Sequence, residues 1–249
     1  MDRVAHLSLN AMRLYGDNQR AITASLSNQN TIGFKRDLYA NLASAYVSGG
    51  NIDDRAYSTR GDASVSTEEG KLIPTDSPLD ISLEGPGFMV GQKPNGEQIV
   101  TRRGDLNIGA DRILRNGEGV AVVGDAGPIT VPAYSNFAIS RDGTVLIQLQ
   151  GAEGGQPATA IGRLRLVNIP ASNIKKGEDS LMRPKNGIIP QADANITIIP
   201  KGLESSNVDP IQAMIDMLSN TRSYEMSVKI LTTAKDLDAE TAKLMRSDR

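Results

Sequence analysis

From Ile211 to Arg249 the chain contains neither glycine nor proline, and the residues just before this stretch have the form of a helix start. In Asp209-Pro210-Ile211-Gln212, Asp209 suits the N-cap and Pro210 the first helical position, where its missing N–H costs nothing. Gln212 stands three after the cap, as in a capping box. Ile211, Ile215 and Leu218 open an apolar stripe. Met217, Thr221, Tyr224, Val228 and Leu231 continue it at alternating four- and three-residue spacing, and Ala234, Leu237, Thr241 and Leu244 shift it slightly. At ~1.5 Å per residue, about forty residues make a rod of roughly 60 Å, far longer than the mean globular helix. A narrow stripe on so long a helix needs a partner along its whole length.

The other end has the same character. Val4, Leu7, Ala11, Leu14, Ile22 and Leu26 recur at spacings near three and four, with Gly16 the one glycine before residue 30. Asn18 interrupts the stripe, either as a residue that sets register or as a solvated position. Residues 36–74 are polar and rich in Gly, Ser, Thr and Asp, and read as a mostly irregular connecting segment. Residues 75–200 read as strands and turns: Val120 and Val122, Ile129 and Val131, Phe137 and Ile139, Val145, Ile147 and Leu149, and Leu164 and Leu166 alternate. Asn95-Gly96, Asn116-Gly117 and Asp142-Gly143 stand between such runs as hairpin turns. The expectation is an α+β chain of a helix at 1–35, a linker at 36–74, an all-β domain at 75–200 and a helix at 201–249. The two terminal helices would run side by side, with Leu7, Leu14, Ile22 and Leu26 against Ile211, Ile215, Leu218, Tyr224, Val228 and Leu231, and with apolar surface left over for neighbouring copies.

The chemistry available is thin. With no Cys, disulfides, thiolate metal sites and cysteine nucleophiles are excluded, and His6, the single histidine, excludes any site needing two imidazoles. A serine–histidine arrangement would rest on His6 alone. Asp53-Asp54 and Glu68-Glu69 are adjacent pairs in a polar segment and read as solvated charges. Asp105 to Asp111 imitates the opening of a calcium loop but has Ala110 and Asn116 where Gly and Glu are needed. Gly117-Glu118-Gly119-Val120 lacks the third glycine and following helix of a dinucleotide loop. Arg102, Arg103, Arg112 and Arg115 surround turns and are candidates for contact with peptidoglycan or an acidic neighbour. The expectation is no enzyme, no cofactor and no metal. A net charge of -2 and no Trp speak against nucleic acid as a partner. No apolar run approaches the ~20 residues of a membrane helix, and the N-terminus lacks a secretory signal, so neither membrane insertion nor a cleaved leader is expected.

Three stretches carry a resemblance. Ser25-Leu26-Ser27-Asn28-Gln29-Asn30-Thr31-Ile32-Gly33-Phe34-Lys35 resembles the N-terminal motif of the bacterial flagellar axial proteins (rod, hook and hook-associated), A-N-N-L-A-N-x-N-T-x-G-F-K. Leu26, Asn28, Asn30, Thr31, Gly33, Phe34 and Lys35 match; Ala24, Ser25 and Ser27 depart. Thr75 to Val90 resembles the family's T-x-x-P-L-D-x-x-I-x-G-x-G-F-F-x-V, with Leu83 and Met89 as departures. The same stretch continues to Thr101-Arg102-Arg103-Gly104-Asp105-Leu106, which resembles the T-R-x-G-x-F that follows. Gly202-Leu203-Glu204-Ser205-Ser206-Asn207-Val208-Asp209-Pro210, continuing to Arg222, Tyr224 and Glu225, resembles the C-terminal motif. In physical terms, Asn28 and Asn30 can bond backbone where the helix ends, Gly33 permits positive φ there, and Phe34 anchors the exit.

The resemblance implies a structural subunit of the flagellar rod, a shaft crossing the periplasm, with the terminal helices paired as an inner coiled-coil layer (D0) and the β domain outside. It implies a homo-oligomer within a helical rod, other rod proteins as neighbours, and passage through the flagellar type III export apparatus without a cleaved signal. The runs Gly124 to Pro132 and Leu166 to Pro170, followed by Lys176-Gly177-Glu178-Asp179, are more similar to the proximal than to the distal rod branch. The alternatives are a distal rod or hook-type subunit and, from another class, a soluble β-rich binding module.

Overall fold

The computed structural model describes residues 2–38, 42–47, 55–60, 64–150, 157–177 and 179–247. They fall into two compact units, one of Met1–Ser27, Asp37–Ala63 and Asp209–Arg249, the other of Asn28–Arg36 and Ser64–Val208.

The first unit holds two helices, α1 (Asp2–Ser27, 26 residues) and α2 (Pro210–Ser247, 38 residues). Asp209 caps α2: its Oδ1 accepts the N–H groups of Ile211 at 2.9 Å and Gln212 at 3.3 Å. Gln212 does not complete a capping box; its side-chain amide donates to Asp216 Oδ1 at 2.8 Å. The helices pack together, but not as the expected long coiled coil. Such a seam places apolar residues toward the partner along both helices. Here the residues of α2 removed from solvent are Ala213, Ser227 and Ala234, with Asp216, Met217, Asn220, Ser223 and Leu231 half-buried. Beyond Ala234, every residue from Lys235 to Leu244 is exposed. At ~1.5 Å per residue α2 extends ~57 Å and α1 only ~39 Å, so α1 cannot cover α2 throughout.

The connecting segment is also more ordered than its composition suggests. Strands Leu42–Val47 and Arg55–Arg60 pair antiparallel over six positions, from Leu42 opposite Arg60 to Val47 opposite Arg55. Leu42-Ala43-Ser44-Ala45-Tyr46-Val47 mixes small and apolar residues without a period of two, so its polarity pattern does not mark a strand, although Tyr46 and Val47 favour one.

The second unit is β-rich. A nine-stranded sheet is built around Gly87–Gln92, which pairs with Gln98–Thr101, Ala121–Gly124 and Leu166–Asn168. Successive side chains of a strand point to opposite faces, and here both faces are covered. Met89, Val122 and Leu166 enter one core with Ile81, Leu114 and Ile147, while Phe88, Val90, Val123 and Val167 enter a second with Val100 and Ile174. The uninterrupted run Phe88-Met89-Val90 therefore reflects a strand buried on both sides. The three expected hairpin turns are present. Gly96 and Gly143 take φ of +85° in theirs, and at the third Gly119 donates its N–H to Asn116 O. Tyr134–Ile139, Thr144–Leu149 and Thr159–Arg163 form a three-stranded sheet whose Phe137, Ile139, Val145 and Ile147 close the first core.

A surface ion cluster ties two turns of this unit. Arg183 donates to Glu97 Oε1 and Asp179 Oδ2, each at 2.6 Å, and Lys93 pairs with both carboxylates. Hydrogen bonding from Arg183 holds the Glu97 and Asp179 carboxyls below the ordinary carboxylate range. A depressed folded-state value means that the folded chain binds fewer protons than the unfolded one. The contribution is present above the unfolded value of about 4 and is lost as pH falls through the folded values. The urea midpoint should decline as pH drops below about 4, and Arg183→Met should flatten that decline.

Candidate functional site

The three motif stretches, far apart in sequence, meet at one buried junction in the β-rich unit. After Ser27 the chain turns: Thr31 donates its N–H to Asn28 O and its hydroxyl to Asn28 Oδ1, both at 3.1 Å. Gly33 then takes φ +66° and gives its N–H to Glu204 O at 2.7 Å. A Cβ at this position would stand 2.5 Å from the carbonyl of Arg102, so both conformation and space require glycine. Phe34 is buried, with Lys176 Nζ 3.9 Å from its ring centroid, and Lys176 Nζ also donates to the carbonyl oxygen of Lys35.

Lys35 is fully buried, 1% exposed. Its Nζ donates to Glu204 Oε1 at 2.6 Å and to the Glu68 carbonyl at 2.5 Å. The other Glu204 oxygen accepts Arg102 Nε at 2.6 Å, and Gly70 N–H adds a bond to Oε1 at 2.8 Å. Arg102 uses its remaining donors on the carbonyls of Leu83, Gly85 and Gly87, between 2.7 and 3.1 Å. Asn207 completes the closure, accepting Arg36 N–H at 2.7 Å and donating to Glu68 O at 3.0 Å. Burial, and then the Arg102 charge, push the Lys35 ammonium below its ordinary value, against the pull of Glu204. One carboxylate thus clasps the segment after α1, the strand pair around Arg102 and the segment leading into α2. Its oxygens are occupied by protein donors, and the adjoining space of about 40 Å³, lined by Phe34, Arg103, Lys176 and Met182 among others, is large enough for little more than water. The arrangement ties three distant segments to one buried carboxylate.

The other candidate surface is the outer side of the helices. Ile211 is 71% exposed, Ile215 55%, Leu218 54% and Leu244 69%. Tyr224, Val228 and, on α1, Leu7 are exposed as well; Leu14 and Ile22 are buried, while Ala11, Leu26 and Leu231 are intermediate. The side chain of Val4 lies outside the described residues, as do Asp53 and Asp54. Of the motif residues Asn28, Asn30, Thr31, Gly33, Phe34 and Lys35, all but Asn30 are covered in whole or part. Arg102 is not a surface contact; it is 2% exposed and committed to Glu204 and backbone. Arg103 pairs with Asp105 and Arg115 with Asp111. Sequence reasoning missed Glu204 as an organising residue and placed Arg102 at the surface. The available signal was a charge set among glycines and apolar residues within each quoted motif.

Among the described residues no helix is long and apolar enough to cross a membrane. Residues 82–147 match the family model described as flagellar hook protein FlgE/F/G D1 domain, and residues 200–244 match that of the flagellar basal body rod FlgEFG protein C-terminal. The chain is 34% identical over 235 residues to flagellar basal-body rod protein FlgF of Salmonella typhimurium, covering 92% of each chain. It is 33% identical to FlgF of Escherichia coli, covering 88% of this chain and 89% of that one. With the rod protein FlgG of Caulobacter vibrioides it shares 28% identity, over 91% of this chain and 93% of that one.

Proposed function

Because the chain belongs to the flagellar basal-body rod protein family and is a structural subunit of that rod, we propose that it is held there by burial of the exposed apolar residues of its helices against neighbouring axial subunits. The observation that carries this is the outward exposure of Ile211, Ile215 and Leu218 on a stretch of α2 whose other side, at Ala213 and Asn220, is already covered. Each such side chain, once covered, contributes ~1.5–3 kcal/mol, so many shallow contacts suffice without a deep pocket. The neighbours are further copies of this chain and other rod proteins. The greater identity to FlgF than to FlgG favours the proximal segment. Delivery is by the flagellar export apparatus, without a cleaved signal, and the role is mechanical rather than catalytic: within the β-rich unit, the clasp at Glu204 holds together the segments on either side of Arg102 and Lys35.

The test is a strain whose own copy of the subunit is deleted and then restored with a labelled chain, imaged as isolated basal bodies. The deletion should abolish swimming and truncate the rod, and the label should sit within the rod. Normal rods and swimming in the deletion strain would overturn the assignment.

A further inference from the structure

The side of α2 turned inward places Ala213, Asn220, Ser227 and Ala234 seven residues apart. Three of these cannot tell one axial position from another. Ala213 and Ala234 offer only a methyl group, and the Ser227 hydroxyl is satisfied within its own helix by Ser223 O at 3.0 Å. Sliding α2 by seven residues would exchange near-equivalent small side chains along this line, while Met217 and Leu231, half-buried beside it, are apolar and make no directional contact. Asn220 differs. Its Nδ2 donates to the backbone carbonyl of Tyr15 and to Gln19 Oε1 on α1, each at 2.9 Å. A displaced helix leaves this half-buried amide facing a position where those two acceptors are absent, and an unmet buried donor is costly.

We infer that Asn220 sets the axial stagger of α2 on α1, acting as a positioning residue in a contact line whose fully buried members are the small residues Ala213, Ser227 and Ala234. A single polar residue at a helix contact is a known means of specifying register at some expense in stability. The consequence reaches the outside of the pair. A shift of seven residues carries Ile211, Ile215 and Leu218 along the axis by ~10 Å relative to α1, so any neighbour that spans both helices meets a different surface.

The natural chain has no cysteine, so nitroxide labels can be attached at Arg20→Cys and Thr232→Cys, both exposed positions, in the full-length protein. Electron–electron resonance should give one narrow distance with Asn220 present. Asn220→Ala should add a second population displaced by ~10 Å, or spread the distribution that far, whether or not the melting temperature falls. Asn220→Ser, which fits the contact line as Ser227 does but is too short to reach both acceptors, should do the same and serves if the alanine variant loses helix content. A single unchanged distance in a variant that keeps its helices would overturn the inference and leave Asn220 a simple contact. A distribution already broad with Asn220 in place would overturn it as well.

Discussion

Glu204→Ala is expected to destabilise the β-rich unit by about 3–5 kcal/mol, the usual cost of removing one partner from a buried ion pair. The carboxylate is 3% exposed and stands between Lys35 and Arg102, whose side chains are 0% and 1% exposed. Without it, two cations remain in low dielectric, and Gly70 N–H loses its acceptor. Against the 5–15 kcal/mol that holds a typical domain, the loss is large enough to be read directly as a shift in the urea midpoint. Glu204→Gln keeps an acceptor and the shape but not the charge, and should fall between. The variant should also acquire a pH signature. Lys35 is already below its ordinary value through burial, and loss of its counter-charge lowers it further. A base whose folded value lies below its unfolded one binds fewer protons when folded, so stability rises with pH across that interval. The Glu204→Ala deficit should therefore shrink as pH is raised toward about 10. A deficit under 1 kcal/mol that is flat with pH would show that the clasp contributes little.

Ile215→Asp combined with Leu218→Asp is expected to abolish swimming while leaving the isolated chain as stable as before. Both residues are more than half exposed, and substitutions at such positions usually change monomer stability by no more than about 0.5 kcal/mol. In an assembled rod the same two carboxylates would have to be buried against apolar neighbours, at a cost of several kcal/mol per uncompensated charge. Leu14→Ala supplies the contrast. Leu14 is 8% exposed, so its truncation should lower chain stability by about 2–4 kcal/mol whether or not subunits assemble. Unimpaired swimming with the double aspartate would remove the support for assembly through this face.

The contrast between these two sites follows what a linear sequence can express. Asp209-Pro210 is legible because a cap is satisfied within three residues: the Asp209 carboxylate meets Ile211 and Gln212. Asn95-Gly96 and Asp142-Gly143 are legible because few residue types accept positive φ. The strand at Phe88-Met89-Val90 falls within the stretch expected to be β, but the two separate cores it divides were not legible. The hairpin of Leu42–Val47 and Arg55–Arg60 escaped because its pairing is carried by backbone hydrogen bonds rather than by alternating polarity. The inward side of α2 escaped for a related reason. An apolar stripe was taken to face α1, yet the contact is made where Ala213, Ser227 and Ala234 let the helices approach, and the larger Ile215 and Leu218 are left outside.

The sequence by itself determined a helix toward each end, the cap that starts α2, the turns and the kinship with axial proteins, since each depends on local conformational preference or on residues a few positions apart. Only the tertiary structure decided that Lys35, Arg102 and Glu204 share one buried cluster and which side of α2 stays open. Both are outcomes of desolvation and close approach between distant segments. A charge reveals its counter-charge only when water has been excluded around it, and a helix shows its inner side only when a second helix has chosen the smallest residues to lie against.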